Sequence, residues 1–124
     1  MGAVVVKKGK VIASAHNLKE TSHDPTAHAE ILAIRQAAQV LETWYLNDTI
    51  LYVTLEPCPM CAWAILQARI PTLVFGAMDA KAGAAGTVVN IVDDKKFNHR
   101  AEVIAGIMEK ECKEILQRFF TLKR

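Results

Sequence analysis

Two short motifs constrain this chain more than any other part of it: Ala27-His-Ala-Glu30 and, 30 residues on from its histidine, Pro57-Cys-Pro-Met-Cys61. A structural zinc usually takes four protein ligands, but this pair of motifs offers three good ones, His28, Cys58 and Cys61, which leaves a coordination position for water. The fourth polar residue, Glu30, is placed to move protons. Neither motif is decisive alone, because a His-x-Glu pair on a helix is commonly two surface residues and a Cys-x-x-Cys serves redox work as readily as metal binding. Read together they require a fold that brings the starts of two distant segments to one point.

The local patterns supply such a fold. Val4 to Val6 and Val11 to Ala13 are β-prone runs joined by Lys7-Lys-Gly-Lys10, a hairpin with Gly9 in the turn. A polar loop from His16 to His23 leads to Asp24-Pro25, which reads as an N-cap followed by Pro at the first helical position. Ile31, Ile34, Ala38 and Leu41 then recur at helical spacing, so a helix is expected over Pro25 to Leu41 with His28 and Glu30 in its first turns. Thr49 to Leu55 reads as a central strand ended by Pro57. Cys58 to Ala68 reads as a second helix carrying both cysteines on its first turn, where free amides and the helix dipole stabilise thiolates.

A strand at Thr72 to Phe75, a Gly-rich loop from Gly76 to about Asn98, a strand at Ala101 to Ile104 and an amphipathic helix from Met108 to Phe120 complete the order β-β-α-β-α-β-loop-β-α. This is the pattern of an α/β protein, three layers in the order α/β/α around a mixed sheet of about five strands. Both metal motifs then fall on helices that start beside central strands, where such sheets place ligands.

Composition narrows the class. With 124 residues, 52% apolar and 23% charged, one globular domain is expected, without repeats or low-complexity linkers. Apolar runs such as Leu73 to Met78 are far too short to span a bilayer. The start, Met1-Gly-Ala-Val-Val-Val6, lacks a leading positive region and a cleavage site, so a cytoplasmic location is the expectation. Three cysteines, two in a metal-like spacing, argue against a disulfide framework. The net charge of +2 implies no nucleic-acid partner by itself. Lys113, Arg118, Lys123 and Arg124 collect near the end, which suits phosphate contact or simply a solvated helix face.

On these residues the chain resembles the cytidine deaminase-like superfamily, and within it the bacterial tRNA-specific adenosine deaminases. The resemblance covers nearly the whole chain: Asn17, Asp24-Pro-Thr-Ala-His-Ala-Glu30, Leu55-Glu-Pro-Cys58, Phe75-Gly-Ala-Met-Asp79, Lys81-Ala-Gly-Ala-Ala-Gly-Thr87, Asn98-His-Arg100 and Phe119-Phe-Thr-Leu-Lys-Arg124. The zinc motif belongs to the whole superfamily and speaks only to deamination. Gly83-Ala-Ala-Gly86, Asn98-His99 and the Phe-Phe ending are what look like the tRNA enzymes.

The resemblance implies a single zinc-dependent deaminase domain over 1–124, binding one Zn2+ per chain through His28, Cys58 and Cys61. The implied reaction is hydrolytic deamination of adenosine to inosine at the wobble position of a tRNA anticodon. Zinc lowers the pKa of bound water from about 15.7 towards roughly 7. Glu30 is then the catalytic residue, passing the water proton to N1 as hydroxide attacks C6 and then protonating the departing amine. Asn17, Ala29, Asp79, Lys81, Asn98, Phe120 and Lys123 are implied to bind substrate, the anticodon stem-loop being the partner and a homodimer the assembly, with no membrane involved. Two departures accompany the resemblance: the helix that family members carry before the first strand is not seen ahead of Gly2, and Trp63 stands where Gly is common. Trp63 lies about 200° round the helix from Cys61, away from the zinc, and needs a neighbour or an interface to pack against.

Several residues have two readings. Asn17 either holds the ribose or base or closes an Asx turn. Cys112 is either a fourth ligand or, on the apolar face of the last helix, a core residue. Phe119 falls on that same face. His16, His23 and His99 compete as ligands with rim or structural roles. Two other functions fit the same residues: a zinc deaminase of a free base or nucleoside of guanine or cytosine type, and a non-enzymatic zinc-stabilised RNA-binding module in which Glu30 has no purpose.

Overall fold

Lys8 and Gly9 both take positive φ, 52° and 75°, the geometry of the tight hairpin turn that matches strand twist. They join β1 (Gly2–Lys7) to β2 (Lys10–His16) in the computed structural model, which describes residues 2–114. A bulge between Val5 and Val6 moves the register by one, so Val5 faces Ala13 while Val6 faces Val11. After β2 come α1 (Lys19–Ser22), α2 (Ala29–Leu41), β3 (Thr49–Leu55), α3 (Pro59–Gln67), β4 (Thr72–Ala77) and β5 (Glu102–Ala105). The sheet order is β2-β1-β3-β4-β5: β1 is antiparallel to both neighbours, and β3, β4 and β5 run parallel. This is the expected mixed sheet of five strands.

The period-two alternation of the strands sorts side chains onto two faces. Ala3, Val5, Ala13, Leu51, Val53, Leu73 and Phe75 are buried on one face, beneath α2 and α3. Fully burying residues such as Leu51, Ile65 and Phe75 stabilises the fold by about 1.5–3 kcal/mol each. The other face carries Val4, Tyr52, Val74 and Gly76, and residues 109–114, helical in the structure, begin the second helical layer there. A side chain at Gly76 would come within 2.9 Å of the Cβ of Cys112, so glycine lets that layer approach the sheet. The rest of the expected Met108–Phe120 helix lies outside the described residues.

Several boundaries differ from the sequence expectation, that of α2 most. The helix α2 starts at Ala29, not Pro25. Asp24 does not cap it: Asp24 Oδ1 accepts hydrogen bonds from the backbone N–H (2.8 Å) and hydroxyl (2.7 Å) of Thr26, closing an Asx turn two residues upstream of His28. The buried stripe of α2 is Ala29, Glu30, Ala33 and Ala37, with Ile34, Ala38 and Leu41 flanking it, because small side chains let the helix lie close to the sheet. The last described strand begins one residue later than expected, at Glu102, with Ala101 buried before it. The loop between His16 and His23 also holds the short helix α1, which the sequence did not signal.

Candidate metal centre

Both helices that meet at the site begin in the same unusual way. His28 and Cys58 are not first-turn residues, as expected from sequence, but the N-caps of α2 and α3, each with an extended backbone (ψ 152° and 172°) and no side-chain cap bond. Ser, Thr, Asp or Asn normally takes that position and bonds back to the helix. Here the imidazole and thiol turn to each other instead. His28 Nδ1 is 3.7 Å from Cys58 Sγ and 3.5 Å from Cys61 Sγ, and all three ligand atoms fall within 4.8 Å of one another. Among the described residues this is the one such group of three, and it can hold a metal ion.

The topology explains the meeting. The crossovers β2-α2-β3 and β3-α3-β4 lay both helices on one face of the sheet, so their N-termini emerge side by side beyond the end of β3. Pro59 at the first position of α3 supplies the preset φ and needs no N–H partner.

The electrostatics follow from burial and from the thiol pair. The hydrogen bond from Cys61 holds the Cys58 thiol down to about 5, aided by the nearby His28, so Cys58 is the readily ionised sulfur. Cys61 is pushed well up by the same hydrogen bond, by burial and by the charge of Glu30. Glu30 continues the buried stripe of α2 and is 2% exposed, and burial raises its pKa above the usual carboxylate value. Its Oε1 is buried without any hydrogen-bond partner. An unpartnered carboxylate oxygen costs stability, and such groups mark sites where chemistry uses them.

Of the other residues singled out from sequence, Ala29 is fully buried between His28 and Glu30. Asn17 follows β2, and its Oδ1 accepts a hydrogen bond from the Lys19 N–H at 2.9 Å, forming the Asx turn. The neighbouring Leu18 N–H donates to Ala27 O, which ties the Asn17 loop to the residue before His28. Asp79 and Lys81 lie in the loop after β4, where Asp79 Oδ1 accepts from the N–H groups of Lys81 and Ala82. Asn98 lines an open cleft of about 230 Å³ with Trp63, Arg69 and Phe97. Trp63 finds the neighbour it needs in Phe97, edge to face at 5.1 Å between ring centroids. Phe119, Phe120, Lys123 and Arg124 lie outside the described residues. Cys112 lies against Gly76 on the opposite sheet face and does not join the metal group. His16 ends β2, His23 caps α1 in a left-handed conformation, and His99 Nε2 is 3.0 Å from Ile70 O.

One residue carried no role in the sequence reading. Glu56, between β3 and Pro57, is 2% exposed and accepts four hydrogen bonds. Its sequence signals were an acidic residue at the end of an apolar strand and its place in the segment Leu55-Glu-Pro-Cys58.

Comparison with known proteins accords with this geometry. Residues 1–124 match the MafB19-like deaminase family. The chain is 51% identical over 120 residues to a tRNA-specific adenosine deaminase of Bacillus subtilis (strain 168), covering 97% of this chain and 74% of that protein. Among solved structures, one from a study of A-to-I editing by tRNA:A34 deaminases at the wobble position of transfer RNA superposes with a TM-score of 0.88 at 46% identity, over 92% of this chain and 83% of that one. A guanine deaminase from Bacillus subtilis gives a TM-score of 0.64 at 39% identity, over 97% and 78% of the two chains.

Proposed function

The chain belongs to the MafB19-like deaminase family, and we propose that it hydrolytically deaminates adenosine to inosine at the wobble position of a tRNA anticodon. One observation carries the chemical half of this reading: the buried side chain of Glu30, with its Oε1 left without a hydrogen-bond partner, beside a group of three metal-ligating atoms. The substrate half rests on similarity to tRNA adenosine deaminases across nearly the full chain.

The donor set suits zinc. With Zn–N of about 2.0–2.1 Å and Zn–S of about 2.3 Å, tetrahedral ligation requires N to S separations of about 3.6 Å. The two separations in the structure are 3.7 and 3.5 Å. One zinc per chain, held by His28, Cys58 and Cys61, would supply a water activated for attack at neutral pH. The residues of the chain do the remaining work. Cys58, already acidic, offers a thiolate at the positive end of α3. Glu30, its pKa raised by burial, can both accept and return protons, carrying one from the water to the ring nitrogen and a second, from the hydroxyl added to the ring carbon, to the leaving amine. Its free Oε1 is the atom open to that exchange. Asn17, Ala29, Asp79, Lys81 and Asn98 are the proposed substrate contacts among the described residues, with Phe120 and Lys123 beyond them. The reading also carries a single domain, a homodimer and a cytoplasmic location.

The 39% identity to a guanine deaminase gives a second reading, a free-base substrate, but the lower structural similarity and lower identity rank it behind. One assay separates them. Zinc-loaded protein is incubated with an anticodon stem-loop bearing wobble adenosine, and separately with free guanine and free cytosine. Inosine with matching ammonia from the stem-loop alone is expected. Ammonia from a free base alone would replace the tRNA reading with the second one, and none from any substrate would favour a non-enzymatic module.

A further inference from the structure

Glu56 is a buried acid that the reaction does not use. Each of its oxygens takes two donors. Oε1 accepts from the Asp79 N–H at 3.1 Å and from the Thr87 hydroxyl, while Oε2 accepts from the N–H groups of Ala85 at 2.9 Å and Thr87 at 3.2 Å. Every partner comes from one segment, residues 79 to 87, and three of the four are backbone groups. Among the described residues no Lys or Arg pairs with Glu56, so three loop amides and the Thr87 hydroxyl compensate the acid.

The surroundings tighten the attachment. Ala84 N–H donates to Pro57 O at 2.9 Å, Gly83 N–H donates to Asp79 O, and the N–H groups of Val88 and Val89 donate to Gly83 O. A side chain at Gly83 would overlap the Glu56 carboxyl and come within 2.6 Å of Asp79 O, so the loop is wrapped as closely as glycine permits. Glu56 and Pro57 immediately precede Cys58, the N-cap of α3 and a member of the metal group. The loop is therefore bonded to the two residues before a ligand, by groups that cannot shift without breaking several hydrogen bonds together.

We propose that Glu56 is a positioning residue whose buried carboxylate clamps residues 79 to 87 against the metal centre, holding the loop that presents Asp79 and Lys81 to the substrate. The kinetic part rests on the function proposed above; the structural part does not. Breaking the clamp should weaken capture of the stem-loop more than the chemical step, because Glu30 and the metal ligands stand on α2 and α3, not on the loop.

The test uses the full zinc-loaded chain with Glu56→Gln, which puts a donor where the loop offers only donors, and Thr87→Val, which removes one hydroxyl. Three quantities are read: zinc per chain, amide hydrogen exchange, and KM and kcat on the stem-loop. In Glu56→Gln the expected result is one retained zinc and lost protection at the amides of Asp79, Ala85 and Thr87, with protection kept in β3 and β4. KM should rise about tenfold with kcat within about twofold, tenfold being about 1.4 kcal/mol, the order of one lost hydrogen bond to a charged group. Thr87→Val should show the same pattern at smaller amplitude, and it decides the matter if Glu56→Gln does not fold. Protection at 79 to 87 equal to wild type, or loss of protection spread evenly through the sheet, would overturn the clamp. So would a fall in kcat at unchanged KM. A wild-type protein inactive on the stem-loop but with loop protection that depends on Glu56 would remove the functional reading and leave the clamp standing.

Discussion

Glu30 is a position set against stability. It occupies a site in the alanine stripe of α2 where a small apolar side chain would pack, and one of its oxygens is left without a partner. Glu30→Gln keeps the shape and removes the proton exchange. With zinc content unchanged at one per chain, kcat on the stem-loop should fall by roughly 10²- to 10⁴-fold, the usual worth of a general acid–base group. Near-normal turnover in that variant would remove Glu30 from the proton path. The same substitution has a pH signature in the metal-free protein. Folding raises the pKa of Glu30 above its unfolded value of about 4.3, so the neutral form is favoured. The associated stability is whole below that unfolded value and is lost as pH rises through the raised one. Metal-free Glu30→Gln should therefore be more stable than wild type at pH 7, by about 1 kcal/mol, and lose its advantage near pH 4. Calorimetry across that range checks it, and a pH-independent difference would count against buried charge as the cause. At this scale the grouping of His28, Cys58 and Cys61 was legible in the sequence, because residue type and short spacing define it. Glu56 was not, since its partners lie 23 to 31 residues away and three of the four are backbone N–H groups, which leave no mark on side-chain sequence.

Among the elements, strands were read more accurately than helix starts. The hairpin, the central strand β3 and the parallel β4 follow from β-branched runs bounded by Gly and Pro, signals carried within a few residues. The start of α2 was misplaced because Asp24-Pro25 has the residues of a helix cap yet closes an Asx turn on Thr26, and the two outcomes share one local sequence. That displacement matters to the site: beginning the helix at Ala29 leaves His28 extended, free to face the cysteines. The loop after β4 looked shapeless for a different reason, its order coming from one carboxylate in another segment. Gly83 tests this directly. Its φ does not demand glycine, but a methyl there meets Glu56 and Asp79 O, so Gly83→Ala should destabilise by about 1–3 kcal/mol through overpacking. Gly86→Ala gives the contrast: its φ of 125° strains any side chain although the space is open. If urea unfolding shows Gly83→Ala to be neutral, the loop has slack that the close approach denies.

For the whole molecule the question is how far the metal and the fold depend on each other. The three ligand atoms come from two helix N-termini that are held apart from the metal by other means: Ala33, Ala37, Ala62 and Ile65 already pack on Leu51, Val53, Leu73 and Phe75 in one core. A zinc finger lacks such a core and unfolds without its ion. Here the core should keep the secondary structure when zinc is stripped, while the metal adds stability by binding only the native arrangement. At a free zinc concentration a thousandfold above Kd that linkage is worth about 4 kcal/mol. For a chain of this length it corresponds to a fall of roughly 10–20 °C in the thermal midpoint on chelation. Circular dichroism at 20 °C should be unchanged by the chelator, the melting curve should move down, and re-added zinc should restore it. Cys61→Ser, which removes the most buried ligand, should start near the chelated midpoint and barely respond to chelator. A wild-type midpoint indifferent to chelation would mean that the Cys58, Cys61 and His28 group does not bind metal tightly in the native state. Loss of the dichroism signal itself on chelation would mean that the core, not the ion, had been assigned too much of the fold.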